Sequence, residues 1–357
     1  QIDAGSTFDA NGQDLTLNGD MNAFGAYVPG GNITYFGSSG TQTINGGGTS
    51  VTFHDLDKTA SGNLVLNGGN TPVTIGNALF LRAGSFTDNG NTVIIKGNVL
   101  NDATHVNSSP GDGMVMNGDN PQQLTGNGIF GKLTIRNPKG VFIPVGSQFT
   151  ITRSLRMEAG VLNIGRNLLV IGVNAVIEEA SPFSPLNMIE TNISFTDNGL
   201  RKNFPSGGPQ EFTFPLGSND KYTPVRLNIT ANGTSSGSIT VKPANERHPG
   251  IIEDTETGAQ IVDKDNALQY YWIMKSEGIS GFSAIGRMYY ADQDVKVASP
   301  YTIADYHPAV LLNDGAGNWL KFPGTDFDET NKCLIFRFTG TNDAGISGDY
   351  TAGAGDN

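Results

Sequence analysis

The sequence holds one cysteine, two tryptophans and four histidines in 357 residues. A single thiol, Cys333, permits no intrachain disulfide. A chain this long can bury enough core without one, so the missing disulfide does not decide the compartment. Charged residues make up 16 %, against roughly 25 % in an average soluble domain. That excludes a coiled coil or helical bundle built on Glu, Lys, Ala and Leu. Bases are fewer than acids, and the net charge of −12 argues against nucleic acid or an anionic membrane as partner. No apolar run approaches the ~20 residues of a membrane span. No signal peptide is visible and the chain starts at Gln1, so a processed chain or an excised fragment is expected.

What is abundant is Gly, with 48 residues, and Asn, with 35. The glycines show no three-residue period, which excludes collagen. Val, Ile, Leu and Phe recur in short alternating runs, which excludes simple disorder. Examples are Asn63-Leu64-Val65-Leu66-Asn67, Val93-Ile94-Ile95-Lys96 and Leu133-Thr134-Ile135. Asn-Gly pairs punctuate them at Asn18, Asn67, Asn117 and Asn127. Gly adopts positive φ freely and Asn tolerates it better than most residues. The expectation is a turn-rich, all-β protein.

The strongest signal is internal similarity. Gln42-Thr43-Ile44-Asn45-Gly46 aligns with Gln122-Gln123-Leu124-Thr125-Gly126. Thr74-Ile75 aligns with Thr150-Ile151, Leu79–Gly84 with Leu155–Gly160, and Asn91–Ile95 with Asn167–Ile171. Ala4–Gly19 matches Ala83–Gly97 as a third, partial copy, so the chain begins inside a repeat. Strand plus corner is too short for crossover helices, and such rungs must stack to bury their apolar faces. We expect residues 1–203 to form a right-handed parallel β-solenoid (β-helix) of about 2.5 copies of a ~78-residue repeat, with about three coils in each. A sandwich or propeller array is the alternative. Both tryptophans and eight of ten tyrosines lie beyond residue 204. Pro205-Ser206-Gly207-Gly208-Pro209 reads as a junction, and residues 204–357 carry seven or more longer strand signals with no helical period. An antiparallel, Ig-like β-sandwich is expected there.

The Gln-x-Ile-x-Gly-x-Gly, Ala-Gly-x-Phe and Leu-x-Ile-x-Gly blocks of the first half resemble repeats of large Bacteroidota cell-surface proteins. Phe212-Thr213-Phe214-Pro215-Leu216-Gly217, Tyr222-Thr223-Pro224-Val225, Tyr271-Trp272-Ile273 and Gly348-Asp349-Tyr350-Thr351-Ala352-Gly353 look like the β-sandwich module that often follows them. The resemblance implies a secreted, cell-surface protein exported by the type IX secretion system. It also implies an adhesin role, including that of gliding-motility adhesins. Its motifs are structural, and no catalytic residues carry over. The expected partners are cell-surface or environmental polysaccharide, or other surface proteins, together with the secretion machinery during export.

Chemistry is sparse. Solenoids also host polysaccharide lyases and hydrolases, but no Asp-Asp pair occurs. His54, His105, His248 and His307 are scattered, without metal-ligand spacing, and are expected in surface or loop roles. Glu178-Glu179 reads as a solvated edge, and Cys333 as a buried or half-buried residue. Calcium is the one cofactor that the pattern suggests, through the pairs Asp55/Asp57, Asp263/Asp265, Asp292/Asp294 and Asp326/Asp328. Asp292 and Asp294 are preferred because they follow a strand. Tyr289, Tyr290, Tyr301 and Tyr306 are candidates for stacking on sugars, with core packing as the plainer reading. A regular Thr array for ice binding is absent. The expectation is therefore a non-enzymatic adhesin segment or stalk. A polysaccharide lyase or hydrolase and a purely structural spacer or filament component remain as alternatives.

Overall fold

Runs of three or four alternating residues closed by Gly, Asn or Asp can form only short strands that then turn. The computed structural model describes residues 1–67, 71–108, 111–191, 198–233, 236–251, 264–313 and 319–354. It is 53 % strand and 4 % helix. Contacts divide the chain into two units, Gln1–Pro182 and Phe183–Asn357. Composition changes only near residue 204, and the intervening stretch belongs with the second unit.

The first unit is a parallel β-solenoid of about eight turns. Three faces alternate along the chain. The first face includes Gln42–Asn45, Asn63–Leu66, Ser85–Thr87, Thr104–Val106 and Leu168–Ile171. The second includes Val51–Phe53, Val73–Ile75, Val93–Ile95, Met114–Met116 and Val176–Glu179. The third runs Leu15–Leu17, Ile33–Phe36, Asp55–Lys58, Leu79–Leu81, Val99–Asn101, Gln122–Thr125, Val141–Phe142 and Leu162–Gly165. Ile129–Arg136 and Gln148–Ala159 each turn a corner and serve the first and second faces in succession.

Alternation decides which side chains enter the core. On the second face Val51, Val73, Val93, Met114, Leu133 and Leu155 form one inward column. Phe53, Ile75, Ile95, Met116, Ile135 and Met157 form the next, and every member of both is fully buried. Each such side chain contributes about 1.5–3 kcal/mol, but only when a neighbouring turn covers it.

Pairing changes the meaning of the internal repeat. With the two corner-turning strands counted twice, every aligned motif pair is eleven strands apart. Three strands make a turn, so eleven is one strand short of four turns. Each copy therefore lands one face back: Gln42–Asn45 is on the first face and Gln122–Thr125 on the third. The expected count was about three coils per repeat; the structure has three and two thirds.

The local chemistry is nevertheless copied. Gln42 Nε2 donates to Leu17 O at 3.0 Å and Gly19 O at 2.7 Å, and its Oε1 accepts from Ser38 N at 2.9 Å. Gln122 Nε2 donates to Ile95 O at 3.1 Å and to Gly97 O, and its Oε1 accepts from Gly118 N at 2.8 Å. Both side chains are buried. Each plugs a corner whose backbone groups have left the ladder, but at different corners. Gly84 and Gly160 behave alike. They have φ of +72° and +96°, and an added Cβ would lie 2.3 Å from Ser61 O and 1.8 Å from Asn137 O respectively. No other residue fits there.

In the second unit most strands are longer and pair antiparallel, although Ile189–Thr191 and Leu216–Ser218 pair in parallel. One set orders Gln210–Phe214, Val225–Ala231, Phe282–Tyr289, Cys333–Thr341 and Phe327–Asp328. The other orders Gly199–Phe204, Gly237–Ala244, Tyr271–Glu277, Gly348–Ala354, Tyr306–Leu312 and Trp319–Lys321. Phe336 and Phe338 of the first set meet Tyr350 of the second, at 4.8 and 6.5 Å between ring centroids. Cys333 is buried, and burial pushes its thiol up to about 11.

Candidate functional site

On the third face of the solenoid the register places Tyr35, Asp57, Phe80 and Leu100 in one outward column. Their alternates Thr34, Leu56, Leu79 and Val99 form the column beneath and are buried. Tyr35, Phe80 and Leu100 are half-exposed. Arg82 reaches back one turn. Its Nε lies 2.9 and 3.0 Å from the two Asp57 carboxylate oxygens, and its Nη2 lies 2.9 Å from Oδ2. The guanidinium carbon sits 5.1 Å from the Phe80 ring centroid, a cation–π arrangement. The hydrogen bonds to Asp57 hold the Arg82 charge above its usual range. The fork geometry fixes both the arginine and the ring it covers. Tyr35 and Phe80 are two rungs apart, about 9.6 Å at the ~4.8 Å strand spacing. That is on the scale of a disaccharide unit. The result is two rings two rungs apart, with the buried Asp57 between them and Arg82 lying over the Phe80 ring.

One repeat onward, the same column falls on the second face and reads Val115, Thr134, Arg156 and Glu178. No ring is present. Arg136 instead pairs with Glu158 at 2.8 Å and Asp112 at 3.1 Å, and Arg156 approaches Glu158 and Glu178 at 3.6 and 3.9 Å. Glu178 is thus part of an ion-pair ladder, while Glu179 is exposed.

Two histidines differ from expectation. His105 is not a surface residue; it lies in the solenoid core between Phe86 and Phe130, at 6.1 and 6.2 Å between centroids. It takes an inward position in its strand, and its Nε2 is 3.0 Å from Asp88 Oδ2. Burial alone would raise Asp88. Hydrogen bonds from His105 and Asn107, and from the Gly90 N–H, overrule it and hold the carboxyl below its usual value. His248 is also buried, 2.9 Å from Asp349 and edge-on to Tyr271 and Trp319. Gly250 N donates to its Nδ1, so neither ring nitrogen is open for base chemistry. His54 pairs with Asp55 at 3.1 Å, and His307 Nδ1 lies 3.1 Å from Phe322 O.

The structure does not bring the expected calcium ligands together. Asp292 is exposed and pairs with Lys332 at 2.9 Å, whereas Asp294 is buried and pairs with Lys221. Calcium wants several oxygens free of other cations, and this pair does not offer them. Asp57 faces Arg82, Asp326 faces Arg337 and Asp265 faces Lys296. Asp55 accepts from Asn77 and the Ala78 N–H, and Asp328 from Asn331. Asp263 lies outside the described residues. Among the described residues no three His, Cys, Asp or Glu side chains gather as a metal site. Tyr290 and Tyr306 are buried against Phe327, at 5.1 and 5.0 Å, while Tyr289 and Tyr301 are half-exposed. Sequence reasoning missed Tyr35 and Phe80. Each alternates with a core residue, which marks them as outward, but only strand register shows that they share a column.

Comparison with protein-family models, curated proteins and solved structures finds no match.

Proposed function

We propose that this chain is a segment of a secreted, non-enzymatic surface adhesin that holds an extended polysaccharide along the third face of its solenoid. In this reading the solenoid is right-handed, the second unit is an Ig-like sandwich, and the parent is a type IX cargo of the Bacteroidota kind the sequence resembles. The observation that supports it is the Tyr35–Asp57–Arg82–Phe80 column. The Tyr35 ring offers an aromatic face to the apolar face of a sugar, while the exposed Arg82 guanidinium, held in place by the buried Asp57 and lying over Phe80, donates to its hydroxyls. Holding the side chains in place beforehand lowers the ordering entropy lost on binding. The ring pair occurs once among the described turns, so avidity would need further copies of the chain rather than a repeated face.

The test is retention of the chain on a panel of immobilised polysaccharides, with newly formed chain ends scored in the same samples. Retention without cleavage is expected. Tyr35→Ala and Phe80→Ala should each weaken it by about tenfold, the ~1.4 kcal/mol expected of a modest anchor. New reducing or unsaturated ends would refute the non-enzymatic reading and favour a lyase or hydrolase. Retention unchanged in both variants would refute the site. No retention on any glycan would leave a structural spacer as the better account.

A further inference from the structure

Three residues distant in sequence converge in the second unit. Lys221 lies in the short strand Lys221–Tyr222, Asn245 just beyond the strand Gly237–Ala244, and Asp294 at the end of a 3-10 turn, Asp292–Asp294. Lys221 Nζ is 2.6 Å from the Asn245 side-chain carbonyl oxygen. It also donates to Asp294 Oδ1. The Lys221 and Asp294 side chains are only 15 % and 2 % exposed. The amine lies 5.7 Å from the centroid of the fully buried Tyr270 ring. The other carboxylate oxygen, Asp294 Oδ2, is buried with no hydrogen-bond partner among the described residues.

This is more than an ion pair. One amine touches both an amide carbonyl and a carboxylate, with the carboxylate buried and the amide half-buried. We propose that Lys221 and Asn245 become joined by an amide bond, with Asp294 as the proton shuttle. Asp294 takes a proton from the Lys221 ammonium, leaving a neutral amine. Nζ then attacks Asn245 Cγ, forming the Nζ–Cγ bond. Asp294 passes its proton to Nδ2 and receives the second proton from Nζ. The Cγ–Nδ2 bond breaks, and the nitrogen leaves as ammonia, which carries off the proton as ammonium. The products are one secondary amide and one ammonium ion, and no oxidant or reductant is consumed.

Burial raises the Asp294 carboxyl above its usual value despite the hydrogen bond from Lys221, which suits a group that must hold a proton between transfers. Fixed proximity supplies the rest. Well-oriented intramolecular partners reach effective concentrations of ~10⁵ M or more, and a desolvated lysine is a competent nucleophile. The inference stands independently of glycan binding. Its consequence is a covalent tie between Lys221 and Asn245.

The experiment is intact-mass spectrometry of the folded full chain, followed by peptide mapping under denaturing conditions. The expected result is a mass lower by one ammonia, with the Lys221 and Asn245 peptides recovered as one branched species. Chain held in denaturant from synthesis onward should keep its full mass until it is refolded. Asn245→Ala and Lys221→Arg should restore full mass. Asp294→Ala should show no branched peptide at a time when the wild type is complete, since shuttles of this kind are worth ~10²-fold or more in rate. Circular dichroism of each variant separates loss of chemistry from loss of fold. Full mass in the folded wild type overturns the proposal. So does an ammonia deficit that maps to an Asn-Gly pair or persists in Asn245→Ala, because that is ring closure in a turn. Loss of one water instead would place the bond on Asp294 and overturn the assignment to Asn245.

Discussion

The two corner glutamines provide the sharpest test of the transposed repeat. Leu nearly matches Gln in volume, so Gln122→Leu removes the hydrogen bonds while keeping the packing. Ile95 O retains the Asn117 N–H at 2.9 Å, and Leu17 O likewise retains the Gly37 N–H at 3.1 Å. The groups that lose a partner are Gly97 O and Gly118 N in one corner, and Gly19 O and Ser38 N in the other; Asn137 Nδ2 also loses Gln122 Oε1 but keeps Asn120 O. In the Gln122 corner, Gly97 O and Gly118 N at ~1–2 kcal/mol each, less about 1 kcal/mol for the more apolar side chain, give a loss of about 1–3 kcal/mol. Gln42→Leu should lose stability too, but less, because Gly19 is exposed and Ser38 half-buried and water can reach the groups left behind. Gln123→Leu, whose side chain points outward, should stay within ~0.5 kcal/mol. Urea unfolding followed by far-UV circular dichroism reads the loss. Hydrogen exchange at the Gly118 amide reads it locally, as roughly 5- to 150-fold faster opening. The reasoning fails if Gln122→Leu is silent. It fails equally if only one of the two glutamines matters, because the corners would then not be copies of one device.

Other expectations can be checked alongside it. Asp88 is held below its unfolded value, so its contribution to stability is present above pH ~4 and lost as pH falls through the folded value. The deficit of Asp88→Asn relative to wild type should therefore be largest near pH 6 and shrink below pH 4; a deficit constant from pH 6 to 2.5 would refute this. Gly160→Ala must move the Asn137 carbonyl and should cost at least about 3 kcal/mol by thermal unfolding. Gly5→Ala has the same sign of φ but nothing within 4 Å of the added Cβ, and should cost only ~1–2 kcal/mol. The glycan-retention and mass measurements complete the set.

Much of the architecture could be read from residue order. Alternation in Asn63–Leu66 or Val93–Ile95 marks strands, and Gly and Asn between them mark corners. The copied motifs also revealed a stack of rungs. What could not be read was where each motif faces. Motif identity between Gln42–Asn45 and Gln122–Thr125 says nothing about how many strands separate them around the axis. Only pairing reveals the missing strand. His105 shows a second limit. Its strand has three residues, too few for a periodicity to declare its side, and its partner Asp88 is 17 residues away. The Lys221 cluster is a third limit. Asn245 and Asp294 lie 24 and 73 residues from the lysine, so no local spacing points to them. Asp294 attracted attention for its neighbour Asp292, yet the two carboxylates serve different lysines.

The one-strand shortfall also bears on how duplicated segments diverge. A repeat of twelve strands would set each new copy directly over the old one, side by side on the same surface. Substitutions in one copy would then have to suit its twin. With eleven, the duplicate is turned away from its parent at birth and meets different neighbours. The column that carries Tyr35 and Phe80 in one copy carries Arg156 and Glu178 in the next. Gene duplication in such a solenoid thus yields a second, differently directed surface whose chemistry can change without disturbing the first.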